Sequence, residues 1–290
     1  MARKRRWGDR KDGRKLRTLS PYDTVSPYIM VTRSDAQNYL SDQFETTAAD
    51  HFVHQKRQEG LVDFGILHVM LAAYVRMLSQ KPRINRFIAG QKVFARYNIE
   101  VNMAVKRQLK ADETNTIVKV IFEPADTVAD VYNRFQEALA KAFADTENDF
   151  DVTARVINLI PGLLKKFTVW LLRLLDYFGL LPAALLKVSP FHGSMFITSM
   201  GSLGIPPIFH HLYTFGNVPV FIAFGAKRYA QEWNKQGHLV RRKYIDFTVV
   251  TDERICDGFY FASGLKLMRQ FLANPAVLDL PPEQVVADID

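Results

Sequence analysis

The sequence predicts an α/β layered domain built on a mixed or largely antiparallel sheet. Short runs rich in Val, Ile, Phe and Thr are interspersed with longer helix-patterned runs, without the regular strand–helix–strand rhythm of a doubly wound sheet. The 290 residues allow one large domain or two small ones, enough for a sizeable core. A hydrophobic content of 48% and a charged content of 23% are ordinary for a globular protein.

The elements follow in chain order. Residues 1–24 read as a basic, flexible tail ahead of a domain over 25–290. The apolar run 27–32 predicts a strand, and Ser34-Asp35 caps a helix through about Leu40. Residues 41–60 are polar and weakly patterned. The almost unbroken apolar run 61–78 predicts a buried helix stopped before Pro82. Strands are expected at 86–89, 91–95, 99–105 and 116–122, the last continuous in Val and Ile. Over 127–143, Val128, Val131, Phe135, Leu139 and Phe143 share one helical face. An apolar helical insertion occupies about 152–190. Beyond it, strands at 194–199, 218–224 and 238–251 precede a helix over 258–272, and Pro281-Pro282 opens one last helical turn.

The net charge of +8 is unevenly placed. Nine Lys/Arg and two Asp fall within residues 1–17, leaving 29 basic against 28 acidic residues in the rest. A basic segment of that kind suits nucleic acid, an anionic lipid surface, or a solvated arm. The body lacks a basic-aromatic groove pattern, which argues against nucleic acid as a partner. One cysteine rules out an internal disulfide, and the basic start has no apolar core of a secretory signal. A cytoplasmic protein, peripheral to a membrane at most, is the expectation.

The densest polar cluster is Asp252-Glu253-Arg254-Ile255-Cys256-Asp257-Gly258, at a strand-to-helix junction. Upstream stand Pro82-Arg83-Ile84-Asn85-Arg86-Phe87, Tyr97-Asn98-Ile99-Glu100-Val101-Asn102-Met103-Ala104-Val105, and Gly193-Ser194-Met195-Phe196-Ile197-Thr198-Ser199-Met200-Gly201-Ser202-Leu203-Gly204. In this order and spacing they resemble the catalytic domain of the 2-oxo acid dehydrogenase dihydrolipoyl acyltransferases. The final heptad is similar to that family's Asp-His-Arg-x-x-Asp-Gly signature and to the His-His-x-x-x-Asp-Gly of chloramphenicol acetyltransferase. The resemblance spans roughly residues 25–275.

The resemblance implies a chloramphenicol-acetyltransferase-like two-layer sandwich, with a mixed sheet and packed helices, assembled as a homotrimer with sites between subunits. It implies acyl transfer between coenzyme A, or a lipoyl thiol, and an acceptor. Acyl-coenzyme A is then a substrate, with no metal and no covalent lipoyl group on this chain. The family's oxyanion hydroxyl falls on Thr198, with Ser199 beside it. Asp257 falls on its structural aspartate, expected in a buried ion pair, with Arg254 and Gly258 in the same turn.

The family's catalytic histidine is replaced by Glu253. A carboxylate of ordinary pKa ~4.3 facing a thiol of ~8.5 accepts a proton uphill by about 6 kcal/mol. Burial raises a carboxyl and narrows that gap, whereas pairing with Arg254 widens it. Three readings stay open. Glu253 is a retuned base, the chain is a non-catalytic trimeric scaffold of the same fold, or another base serves, with His210 and His211 as candidates. Those two histidines also fit as ordinary loop or core residues.

The insertion, 156–188, carries Lys165, Lys166, Arg173 and Asp176 on one stripe and is otherwise almost wholly apolar. Its charges interrupt any membrane span. It reads as a helical lid, with Arg173 and Asp176 paired, as a membrane-interface helix reinforced by the basic tail, or as the wall of an acyl channel.

Overall fold

A computed structural model of the chain describes residues 5–105, 116–144 and 158–290. Strand β1 (Gly13–Lys15) lies within the stretch read as a flexible tail. Helix α1 (Pro21–Ile29) follows, with the Ser20 hydroxyl accepting from the Asp23 amide and Pro21 in the first turn. It occupies half of the strand expected over 27–32: Ser-Pro-x-Asp is a helix start, and a short apolar run alone carries no period. The helix expected from Ser34 is a single 3-10 turn, Ser34–Ala36, replaced at once by strand β2 (Gln37–Glu45). Tertiary pairing overrides local preference there, because β2 pairs with the last long strand from Gln37↔Asp252 to Glu45↔Tyr244.

Helix α2 (Thr47–Gln58) emerges from the weakly patterned stretch. Helix α3 (Ile66–Gln80) starts after Gly65, whose N–H is accepted by His68 Nδ1. Strands β3 (Arg86–Ala89), β4 (Lys92–Arg96), β5 (Ile99–Val105) and β6 (Thr116–Phe122), and helix α4 (Val128–Ala144), lie within a residue of expectation. The insertion folds as helices α5 (Gly162–Tyr177) and α6 (Ala183–Val188); its residues 152–157 lie outside the described ones. Strands β7 (Met195–Ser199), β8 (Val220–Trp233) and β9 (Leu239–Asp252) and helix α7 (Gly258–Ala273) complete the order. β8 runs on to Trp233, because its polar second half is held by β9 alone. The late helical turn is a 3-10 turn at Pro275–Asp279 instead, and the tail returns to the body, Val286 N–H donating to Ser79 O at 2.8 Å.

β2-β9-β8-β7-β5-β6 form a six-stranded mixed sheet, with β5, β7 and β8 mutually parallel and the other pairs antiparallel. β1, β4 and β3 make a small second sheet. Alternation sends Met195, Ile197, Ile222, Phe247 and Val249 into one core with α3, whose residues 68–79 are all buried. On the other face, Phe196, Phe221 and Val250 are covered by Leu212 and Val218 of the loop between β7 and β8.

The basic start of the chain is built into this body. Arg10 is buried and donates from Nε to Asp12 at 2.9 Å and from Nη2 to Asp176 at 2.6 Å. Asp12 also accepts from Asn217 Nδ2 at 2.6 Å, and His192 Nε2 stands 3.3 Å from Asp176. Asp176 therefore points inward, to Arg10 and His192, while Arg173 is exposed; the pair expected along the helix does not form. Leu163, Phe167, Trp170, Leu174 and Tyr177 of α5, and Phe178 just past its end, stand exposed, within a stripe of about 100° at helical spacing. Among the described residues no helix is long and apolar enough to cross a membrane.

Burial alone would lift the Asp176 carboxyl, yet His192 and Arg10 hold it at about 2, below its ordinary 3.8. A depressed carboxyl adds stability above its unfolded value, here about 2 kcal/mol. We expect that contribution to fade as pH falls from 4 towards 2 in chemical denaturation. Asp176→Asn should cost about 3 kcal/mol at pH 7 by leaving Arg10 under-paired in the interior, and should flatten this acid dependence.

Candidate functional site

Two places in the fold carry the residues that the sequence singles out. The first is the C-terminal end of β7, a central strand with parallel neighbours on both sides. Thr198 and Ser199 end it, both half-buried. Successive residues face opposite ways, so Thr198 shares the outer face with Phe196 and Ser199 turns inward. Ser199 Oγ accepts the Gly201 N–H at 3.3 Å and shapes the following turn. Thr198 opens into a cavity of about 980 Å³ with mostly apolar walls, among them Met103, Phe135, Leu139 and Phe196. Ser202, His210 and Tyr213 also line it.

His210 reaches that cavity because the loop after β7 crosses β8 at a bulge. The register shifts between Phe224 and Lys227, and Ala226 N–H donates to Ile205 O at 3.0 Å. Pro206 and Pro207 ride directly over Gly225, where a Cβ would stand 2.6 Å from Pro207 Cδ. The loop then lies on the outer face, with Ile208 O accepting from Thr248 Oγ1 at 2.7 Å and Leu212 N–H donating to Gln37 Oε1 at 2.9 Å. The half-buried His210 ring stacks flat on Phe221, 4.1 Å between centroids at 14°. Burial, and secondarily the neighbouring His211, push its pKa below the usual imidazole value. His211 is exposed, edge-on to Tyr213 at 5.1 Å, and stands outside the cavity lining.

The second place is the turn between β9 and α7. Asp252 has no exposed surface and takes a two-pronged contact from Arg254, Nε to Oδ1 at 2.8 Å and Nη2 to Oδ2 at 2.7 Å. Arg33 Nε adds a second cation at 3.4 Å. Arg254 thus turns away from Glu253. Glu253 is exposed, its N–H donating to Ala36 O at 2.9 Å and its Oε2 accepting from Asn38 Nδ2 at 3.0 Å. Asp257 is exposed too and caps α7 by accepting the Tyr260 N–H at 2.8 Å. The buried ion pair expected of Asp257 belongs to Asp252, because the last strand residue points inward and the cap must face the helix's free amides. Burial, with Asp257 close by, pushes the Cys256 thiol up to about 12, which leaves it protonated and unreactive.

Strand register separates the two places. Thr198 is level with Ala223 and so with Thr248, five residues before Glu253 on β9. That is about 17 Å along the strand and two strand spacings, roughly 10 Å, across it. Reaction needs partners about 3–3.5 Å from the reacting carbon, so the carboxylate and the hydroxyl of one chain do not serve the same carbonyl. His210, by contrast, lines the cavity that Thr198 opens into. Sequence reasoning assigned no role to Asn38, Asp252 or Arg33; only the charge alternation within the heptad hinted at a pair.

In structure the chain is similar to a probable dihydrolipoamide acetyltransferase from Listeria monocytogenes 4b F2365, at 13% identity and a TM-score of 0.56, covering 89% of this chain and 95% of that one. It is similar to the cubic core of the pyruvate dehydrogenase multienzyme complex, at 14% identity and 0.55, over 88% and 87%. It is also similar to chloramphenicol acetyltransferase, at 11% identity and 0.52, over 88% and 96%. No family model and no curated protein matches the sequence. At these identities the likeness assigns the fold, a chloramphenicol-acetyltransferase-like α/β sandwich, as the heptad and its preceding segments imply.

The two glycines of these places differ in what they require. A Cβ at Gly258, the first residue of α7, meets nothing within 4 Å, so Gly258→Ala should hold or raise stability by up to about 1 kcal/mol. Gly225→Ala should displace the Pro206-Pro207 crossing and destabilise by about 1–3 kcal/mol. Thermal denaturation of the two variants reads both.

Proposed function

We propose that this protein is an acyltransferase, moving an acyl group between coenzyme A, or a lipoyl thiol carried by another protein, and an acceptor nucleophile. The observation that carries the reading is the Thr198 hydroxyl at the end of a central strand, opening into a large apolar cavity with an imidazole in its wall. A thioester carbonyl seated over Thr198 would develop negative charge there, and a hydroxyl donor fixed by strand geometry stabilises that charge without reorganising. Mostly apolar walls leave few groups to compete for the carbonyl oxygen, which favours the hydrogen bond from Thr198. The structural neighbours named as acetyltransferases support the same chemistry.

Assembly belongs to the proposal. A neighbour that forms a cubic core supports a homo-oligomer, and trimers are the unit that the resemblance implies. Glu253, exposed on its turn at the far end of the sheet, meets a substrate held at Thr198 only if a second copy brings it there.

Release of thiol from acetyl-, succinyl- and long-chain acyl-coenzyme A, with mass spectrometry of the acceptor, tests the reading. We expect turnover with at least one member of the panel. Thr198→Ala should lower kcat by about 10²–10³-fold with its fold intact, the effect of losing one oxyanion donor. Sedimentation equilibrium should give a trimer or a multiple of three. A panel with neither turnover nor binding would overturn the acyltransferase and leave a non-catalytic oligomer of the same fold.

A further inference from the structure

We propose that His210 is the general base of this site, taking the acceptor's proton on Nε2. The inference rests on the acyltransferase reading above. Four observations point to it. The ring is fixed in place, stacked on Phe221, which in turn stacks on Phe196 at 4.9 Å, two residues before Thr198 on the same face of β7. The backbone is pinned on both sides of it, at Ile208 and Leu212. His210 Nε2 is buried and has no hydrogen-bond partner among the described residues, and its side chain lines the mostly apolar cavity. Glu253, the other candidate base, is exposed and stands at the far end of the sheet.

The titratable groups near His210 are His211 and Tyr213 of the same loop; no carboxylate or ammonium is among the described residues lining the cavity. With its pKa held below the imidazole norm, the ring is neutral at pH 7 and free to accept a proton. In the step, the acceptor S–H proton passes to Nε2 as sulfur bonds to the thioester carbonyl carbon. The oxyanion accepts from Thr198. Its collapse breaks the bond from carbon to the coenzyme A sulfur, and the leaving thiolate takes the proton from the imidazolium. The products are the new thioester, free coenzyme A and neutral His210.

The pH dependence of kcat/KM tests this on the full-length oligomer. Wild type should be flat near neutrality and fall on the acid side of 6.5 as the ring protonates. His210→Gln should lose about 10²–10⁴-fold and the acid limb with it, at an unchanged thermal midpoint. Imidazole added to His210→Ala should restore part of the rate, which a merely structural role would not allow. His211→Gln should keep both rate and limb. Wild-type turnover with rate and limb intact in His210→Gln would overturn the inference and leave the acyltransferase standing. Loss of the limb in Glu253→Gln alone would move the base to Glu253. A wild type without turnover would overturn the acyltransferase first, and His210 with it.

Discussion

A carboxylate with no exposed surface sets the geometry of half this structure. Asp252 ends β9 inside the protein, and an ion there costs several kcal/mol unless paired and hydrogen-bonded. Arg254 folds back within the same turn to meet it, and its Nη1 also donates to Met30 O at 2.6 Å. Arg33 comes in from the start of the domain and donates to Tyr213 O, Gly216 O and Ile88 O. One buried charge thus ties four segments, including the far end of the loop that carries His210. It also fixes what happens between its partners. With 252 and 254 turned inward, the residue between them is exposed, so Glu253 stands at the surface and not in the cavity beside Thr198.

The same constraint separates what was legible in the sequence from what was not. Elements that bury a periodic face were readable: α4 through Val128, Val131 and Phe135, and β6 through Val118, Val120 and Phe122. The order of the motifs fixed the fold because each sits on a strand end or a turn whose chemistry is local. β2 was unreadable, since a half-exposed polar strand is stabilised by pairing with residues about 200 positions away. α1 is masked by the short apolar run at its end, because its start signal, Ser20-Pro21, lies several residues upstream of that run.

At the candidate site the residue types were legible and their partners were not. Thr198 and His210 were both singled out, but that one cavity holds them depends on the bulge at Gly225 and the path of a proline-rich loop. Composition misled at the N-terminus for a related reason. A count of charges marks a segment as solvated, whereas Arg10 and Asp12 are matched one by one to Asp176 and Asn217 in the interior. Helical spacing likewise points Asp176 to the nearest cation on its own helix, whereas the fold supplies Arg10 and His192.

That matching also bears on the order in which the domain is made. Arg10 and Asp12 are synthesised 166 and 205 positions ahead of their partners Asp176 and Asn217. Arg17 and Thr18 precede Asp290, whose carbonyl accepts their amides, by more than 270. At synthesis rates of ~5–20 residues per second, the segment waits on the order of ten seconds to a minute before its contacts exist. Made early within the domain, it is fixed in place late.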